Sequence, residues 1–405
     1  MTYSITIGER VALHRRRRGL SQEVLAGLVG RTEDWLSKIE NNRAELDRLS
    51  VISKLADALD VALGDLIGEP TSLEWSSENG TSTILALRAA LTDYRQLTPI
   101  LRDANRPEPP ALDALERDVA AVFDAYQASR YGYVTARTPL LLAYALRSAD
   151  GFDGDAGLRA QALLAMTYQA AASILTKLGE ADLAWYASDR GLAAAQRSGH
   201  EAVTGSLFRS VTHTLLATGR YRAAVQLTTA AADYLAPALP QADDRMLSVY
   251  GSLFLAGAMA SSRMDDRETT RDFLTAAGDT ARRLGGDANH MWTAFGPTNV
   301  DIHRVATAME LGDVQIAVDV GPQLDTTRLP VERCVRHSIE VARAYSARNR
   351  RDNALDVLLG AETLAPEQVR HHFLSRRLVA HWVKTTRGPV SSTLADFAHR
   401  LCLSG

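Results

Sequence analysis

Cysteine is nearly missing from this 405-residue sequence: only Cys334 and Cys402 occur, far apart. No disulfide framework and no CxxC metal site can be read from two such residues, and a reducing cytoplasm is the natural expectation. Long apolar runs are missing too. The longest, residues 139–146, falls well short of the roughly 20 residues that span a bilayer, and the N-terminus enters an Arg-rich helical pattern directly, with no secretion signal. Charge of one sign is not in excess. A formal net charge of −3 gives no overall basic field, so an indiscriminate nucleic-acid binder is excluded. Lysine is scarce at four residues against 41 arginines, a skew that fits a GC-rich coding sequence better than phosphate-binding chemistry. Catalytic signatures are missing as well: there is no GxSxG, Walker loop or GxGxxG. Asp150, Asp153 and Asp155 lie among glycines, but Gly157 and Leu164 stand where a calcium loop needs oxygen ligands. His371, His372 and His381 do not share a helix face at the spacing a zinc site needs. No enzyme, metal or cofactor is expected.

What is present is helix. Segments of about 8–15 residues with helical apolar periodicity follow one another, and alternating β-branched runs are almost absent, which predicts an all-α protein. Residues 1–67 hold five such segments. The polar stretch 69–80, with Glu69-Pro70-Thr71-Ser72 and Ser76-Ser77-Glu78-Asn79-Gly80, reads as a linker. The expected division is therefore 1–68, a linker over 69–80, and a second unit over 81–405, which a Pro-rich break at residues 107–110 interrupts early.

A pattern repeats through the second unit: a turn residue, then a small residue five positions later opening an amphipathic helix. The pairs are Gly179 and Ala184, Gly219 and Ala224, Asp265 and Thr270, Gly312 and Ala317, and Asn349 and Ala354; the second members lie 40, 46, 47 and 37 residues apart. Such spacing suits stacked antiparallel helix pairs, in which the small residue allows close approach. The copy Thr218-Gly219-Arg220-Tyr221-Arg222-Ala223-Ala224 resembles a tetratricopeptide repeat, although the spacing exceeds that repeat's usual period of about 34. A TPR-like α-solenoid is expected, with an irregular helical bundle as the alternative.

In the first unit, Ser21 can cap a helix that carries apolar Leu25 and Val29 and small Ala26. Gly30 supplies a turn, Thr32 can cap the next helix, Leu36 and Ile39 point back, and Asn41-Asn42 ends it. Two short helices meeting around Ala and Gly have helix-turn-helix geometry. Over residues 6–67 the sequence resembles the XRE family of phage-repressor-type regulators, with Gln22, Ala26, Gly30, Leu36, Ile39 and Glu40 at matching positions.

That resemblance implies several roles. Arg15 and Glu40 occupy the positions of a structural ion pair that fixes the angle between helices. Gln22, Thr32, Glu33, Asp34, Ser37, Lys38 and Arg43 occupy positions that face DNA. Thr32, Ser37 and Lys38 have the chemistry for phosphates or base edges, whereas Glu33 and Asp34 are repelled by phosphate and serve mainly as acceptors from cytosine. Arg16, Arg17 and Arg18 suit phosphates or a solvated basic face equally well. Residues 1–67 contain ten basic and ten acidic side chains. A neutral domain neutralises few phosphates, so a homodimer on an inverted-repeat DNA operator is expected.

In the second unit, residues 290–304 gather two large aromatics, two His, an Asn and an Arg around Gly296-Pro297. With the segments 177–185 and 248–251, they resemble the C-terminal helical-repeat unit of many actinobacterial XRE-type regulators. Aromatic walls with convergent polar groups suit a small-molecule or peptide effector, so Tyr250, Trp292, Phe295, Asn299, His303 and Arg304 are candidate ligand residues. Trp292 and Phe295 have a second reading, as plugs where a repeat is interrupted. The resulting expectation is a ligand-responsive DNA-binding regulator; the alternative is a regulator whose repeats dock a partner protein without a small effector.

Overall fold

The computed structural model describes residues 6–44, 46, 48–61, 65–66, 84–94, 108–386, 388–401 and 403. Among these the protein is all-α: twenty α-helices and no β-strand. The linker expected over 69–80, the boundary at 68 and Cys402 lie outside the described residues, as does most of the fifth N-terminal segment, of which only residues 65 and 66 are described. No helix among the described residues is long and apolar enough to cross a membrane.

Four helices build the N-terminal unit: α1 Ile7–Arg17, α2 Gln22–Leu28, α3 Glu33–Glu40 and α4 Leu49–Leu59. Each of the first three starts on a side-chain cap. Thr6 accepts from the Glu9 N–H while Glu9 accepts from the Thr6 N–H, and Ser21 and Thr32 cap α2 and α3. Val11, Leu25, Leu36, Ile39, Ile52 and Leu55 are buried together between them.

After α5 Ile84–Leu91, helical hairpins follow: α6 Leu112–Gln127 with α7 Tyr131–Gly151, α8 Gly154–Lys177 with α9 Ala181–Ser198, and α10 Glu201–Ala217 with α11 Tyr221–Leu235. Next come α12 Asp244–Ser262 with α13 Arg267–Leu284, α14 Pro297–Leu311 with α15 Val314–Val320, and α16 Val331–Ala347 with α17 Arg351–Leu364. Helices α18 Pro366–His371, α19 Phe373–Thr385 and α20 Ser392–Arg400 close the chain.

The repeated turn has one geometry. Gly179, Gly219, Asp265, Gly312 and Asn349 all adopt φ between 57 and 85°. The N–H of the next residue then reaches back to the carbonyl five positions earlier, from Glu180 to Leu175, Arg220 to Leu215, Asp266 to Ser261, Asp313 to Ala308 and Arg350 to Tyr345, at 2.8 to 3.1 Å. This left-handed C-cap satisfies carbonyls that the helix end leaves free. The small residues that open the second helices are fully enclosed: Ala184, Ala224, Ala317 and Ala354 at 0 % exposure and Thr270 at 2 %. A sixth turn of the same kind stands at Ser129 (φ 58°), where Arg130 N–H bonds to Ala125 O at 2.9 Å. Its partner five residues on is Val134, also fully buried; Ser and Val at these two places hid it from the sequence pattern.

The stack closes on its own first hairpin. Trp292 stacks on Phe123 of α6 with ring centroids 4.7 Å apart, and its indole N–H donates to Asp124 at 2.8 Å. Gln127 donates to Asn289 at 2.9 Å. The Glu367 carboxylate of α18 accepts from the N–H groups of Tyr131 and Gly132 at the start of α7, at 2.9 and 3.2 Å. The hairpins therefore enclose an interior and do not form an open row.

Candidate nucleic-acid interface

The angle between α2 and α3 follows from backbone and charge together. Gly30 takes φ 67°, and Arg31 N–H bonds to Ala26 O at 2.8 Å across the turn. Ala26 is fully buried where the helices cross. Helix α1 is pressed onto the end of α3 so tightly that a Cβ on Gly8 would overlap the Ile39 carbonyl. Thr6 Oγ1 also donates to Asn42 Oδ1 at 2.7 Å, and Asn42 closes α3 with φ 54°.

Beneath this lies the charged network. Arg15 Nε donates to Glu40 Oε1 at 2.6 Å and Nη2 to Oε2 at 2.8 Å, a two-pronged pair, while Nη1 donates to Leu20 O at 2.8 Å. Glu40 also accepts from Gln22 Nε2 at 2.7 Å. One carboxylate thus ties α1, the start of α2 and the end of α3. The hydrogen bonds that Arg15 donates to Glu40 raise the guanidinium pKa above its usual value, against the opposing effect of burial.

The remaining positions implied to face DNA lie along or beside α3. Thr32, Glu33, Asp34, Lys38 and Arg43 are exposed, and Ser37 is half-buried. Lys38 Nζ is held by Asp34 at 2.6 Å one turn away. Gln22 is not free at the surface, because its amide is engaged by Glu40; it can present only its remaining polar atoms. Trp35 is half-buried against the core, with the Arg31 guanidinium 5.7 Å from its ring centroid. Arg31, which the sequence did not mark as DNA-facing, is exposed at the α2–α3 turn. Of the three arginines ending α1, Arg18 is occupied by Ala58 O at 2.7 Å and Asp60 at 3.3 Å. Arg16 and Arg17 are exposed. The outward face of α3 is therefore acid-leaning, and exposed cations flank it from the end of α1, the α2–α3 turn and Arg43.

Helix α4 rests on the hairpins. Lys54 Nζ lies 2.7 Å from Asp265, the Arg48 guanidinium covers Gly312 so closely that a Cβ there would collide with it, and Phe373 packs against the N-terminal core. Two of these contacts fall on the repeated turn residues themselves.

The six candidate ligand residues are not gathered into one place. Phe295 is fully buried over Gly251, where a Cβ would overlap its ring. Trp292 bonds to the first hairpin as described, and Tyr250 lies edge-on to Phe254 at 4.9 Å. Arg304 is exposed and paired with Asp301 at 2.6 Å. Asn299 and His303 do share a buried face one turn apart, with Pro297 starting the helix. Asn299 donates to Ala294 O at 2.9 Å while its Oδ1 has no hydrogen-bond partner. His303 Nδ1 lies 2.8 Å from Asn299 O, and because that carbonyl only accepts, Nδ1 carries the proton. Burial, reinforced by Arg333, pushes the His303 pKa down to about 3. Among the described residues, no group of His, Cys, Asp and Glu side chains is arranged to hold a metal ion.

A family model described as a helix-turn-helix domain matches residues 6–68. No curated protein matches the chain. Capped α2 and α3, crossing at Ala26 over the Glu40 network with the matched span around them, form a helix-turn-helix DNA-binding domain.

Proposed function

We propose that the chain is a cytoplasmic, sequence-specific transcription regulator of the XRE type, in which α3 reads the major groove and the hairpins form a TPR-like unit that responds to an effector. The observation that carries this reading is the Glu40 network: a single buried carboxylate fixes α1, α2 and α3 while leaving the outer face of α3 open, as a helix presented to DNA must be. Lys38, Ser37 and Thr32 supply donors for phosphates and base edges, and Arg16, Arg17, Arg31 and Arg43 supply flanking phosphate contacts. Glu33 and Asp34 suit acceptance from cytosine N4 and penalise other bases by repulsion. The neutral charge balance of the domain makes one copy a weak binder, so the reading includes a homodimer on an inverted repeat. Because α4 sits on the hairpin turns, a change in the hairpin stack would move the DNA-binding unit directly. No catalytic role is assigned to any residue.

Selection of bound duplexes from a random pool by the full-length protein tests this. The expected result is one enriched motif with two-fold symmetry, weakened uniformly by Lys38→Ala. Recovery of unenriched sequence would contradict it.

A further inference from the structure

Inside the closed stack, cationic and imidazole side chains from separate helices converge. Arg209 and His213 come from α10, one turn apart, with Arg209 Nη1 3.2 Å from His213 Nε2. Arg333 and Arg336 come from α16; Arg336 Nη1 lies 3.0 Å from Nε2 of His372, the cap residue of α19. Lys177, at the end of α8, pairs with Glu332 and lies 5.6 and 5.2 Å from the ring centroids of Tyr126 and Tyr131. These groups feel one another. The Arg209 guanidinium is held down to about 10, first by burial and then by the like charge of Arg333. Burial and the same arginines keep His213 well below the usual imidazole range. Burial alone would raise the Glu332 carboxyl, but Lys177, Arg333 and Arg336 hold it below the usual carboxylate range.

The charges do not balance. Lys177 is answered by Glu332, and Arg336 has Glu340 at 3.7 Å. Arg209 and Arg333 form no ion pair among the described residues: the nearby Glu332 is already paired with Lys177, and the Nε of each arginine is buried without a hydrogen-bond partner. Desolvated like charges without counter-ions are costly, and a fold keeps them where something else supplies the missing charge. Both arginines nonetheless retain some accessible surface, as do His213 and His372.

We propose that this interior is a binding site for a small molecule bearing a compact dianionic group, a phosphate or dicarboxylate, held between Arg209 and Arg333. Two guanidinium groups outside any ion pair match two negative charges, and each offers the forked donor set that oxyanions accept. The rings of Tyr126 and Tyr131 lie beside Lys177. Enclosure by α6, α8, α10, α14, α16 and α19 admits a small molecule and excludes a duplex or a second folded chain. Of the six candidate ligand residues read from sequence, His303 alone belongs to this cluster. The regulatory meaning of the site rests on the proposed function; its occupancy does not.

Calorimetric titration and thermal melting of the full-length protein, with inorganic phosphate and with malonate against chloride at matched ionic strength, test the proposal. One dianion should bind saturably with one-to-one stoichiometry and raise the melting temperature. Arg333→Gln and Arg209→Gln should each weaken that binding by about tenfold or more, while leaving the anion-free melting temperature unchanged or higher because a repulsion is relieved. Arg304→Gln, on the outside of the same stack, should change neither. Saturation by phosphate alone or by malonate alone assigns the group. No saturable binding of either, or unaltered affinity in both arginine variants, would overturn the site. If the dianion binds but no DNA sequence is selected, the regulator reading fails and the anion site stands.

Discussion

Arg15 and Arg333 carry the same guanidinium into the interiors of the two halves of the molecule, with different surroundings. Around Arg15, every prong has an acceptor: two on Glu40 and one on Leu20 O. Around Arg333 the nearby carboxylate, Glu332, is taken by Lys177, the arginine's Nε is buried without a hydrogen-bond partner, and Arg209 adds like charge. The hairpin unit is able to pair buried charge, since Arg343 lies 3.1 Å from Glu310 and 3.2 Å from Glu340 with all three almost fully enclosed. The contrast therefore separates two uses of buried charge. A matched pair fixes one arrangement of helices; an unmatched one leaves a place for an external counter-ion.

The largest effect should come from the most enclosed pair. Arg343→Met leaves Glu310 and Glu340 buried without their common partner, and should cost about 3–5 kcal/mol, read from urea unfolding. A variant as stable as the parent would show that buried pairing is not what holds these hairpins. Glu40→Ala strands a less enclosed cation, as Arg15 keeps 11 % of its side-chain surface, so the loss should fall near about 3 kcal/mol, the lower end of that range. Amide exchange should locate the loss in α1 to α3; unchanged protection there would break the comparison from the other side.

Packing tests a subtler difference. Gly251→Ala should destabilise the hairpin unit by about 1–3 kcal/mol through overlap with Phe295, and Phe295→Leu introduced alongside should restore part of it. No recovery in the double variant would mean that Phe295 is not the residue pressed on Gly251. The smallest stability effect belongs to the side of α3 proposed to face DNA. Lys38 and Asp34 are exposed at 53 % and 74 % of their side-chain surface, so Lys38→Ala should move stability by no more than about 0.5 kcal/mol. Operator affinity should still fall by roughly 1 kcal/mol. Equal losses in folding and binding would place Lys38 in the scaffold instead.

Local chemistry decided how much of this was legible in the sequence. Helix caps at Ser21 and Thr32, the left-handed Asn42 and five of the hairpin turns depend on residues within a few positions of one another, so periodicity and turn residues sufficed. The turn at Ser129 escaped because its second member is the branched Val134, where the pattern sought a small residue. The Arg15 and Glu40 positions followed from the family resemblance, which also carries the DNA-facing set; composition alone would not have joined residues 25 positions apart. In the second unit, spacing placed Asn299 and His303 on one face, yet Trp292 and Phe295 are drawn away by Phe123 and Gly251, partners remote in sequence. Arg209, Lys177 and Arg333 come together only through closure of the stack, and nothing local to any of them announces the other two.

The most direct measurement is a footprint of the full-length protein on an operator recovered by selection, taken together with its mass in solution at the same concentration. The account predicts a dimer protecting two half-sites centred one helical turn apart, about 10–10.5 bp. A monomer protecting a single half-site with nanomolar affinity would contradict it.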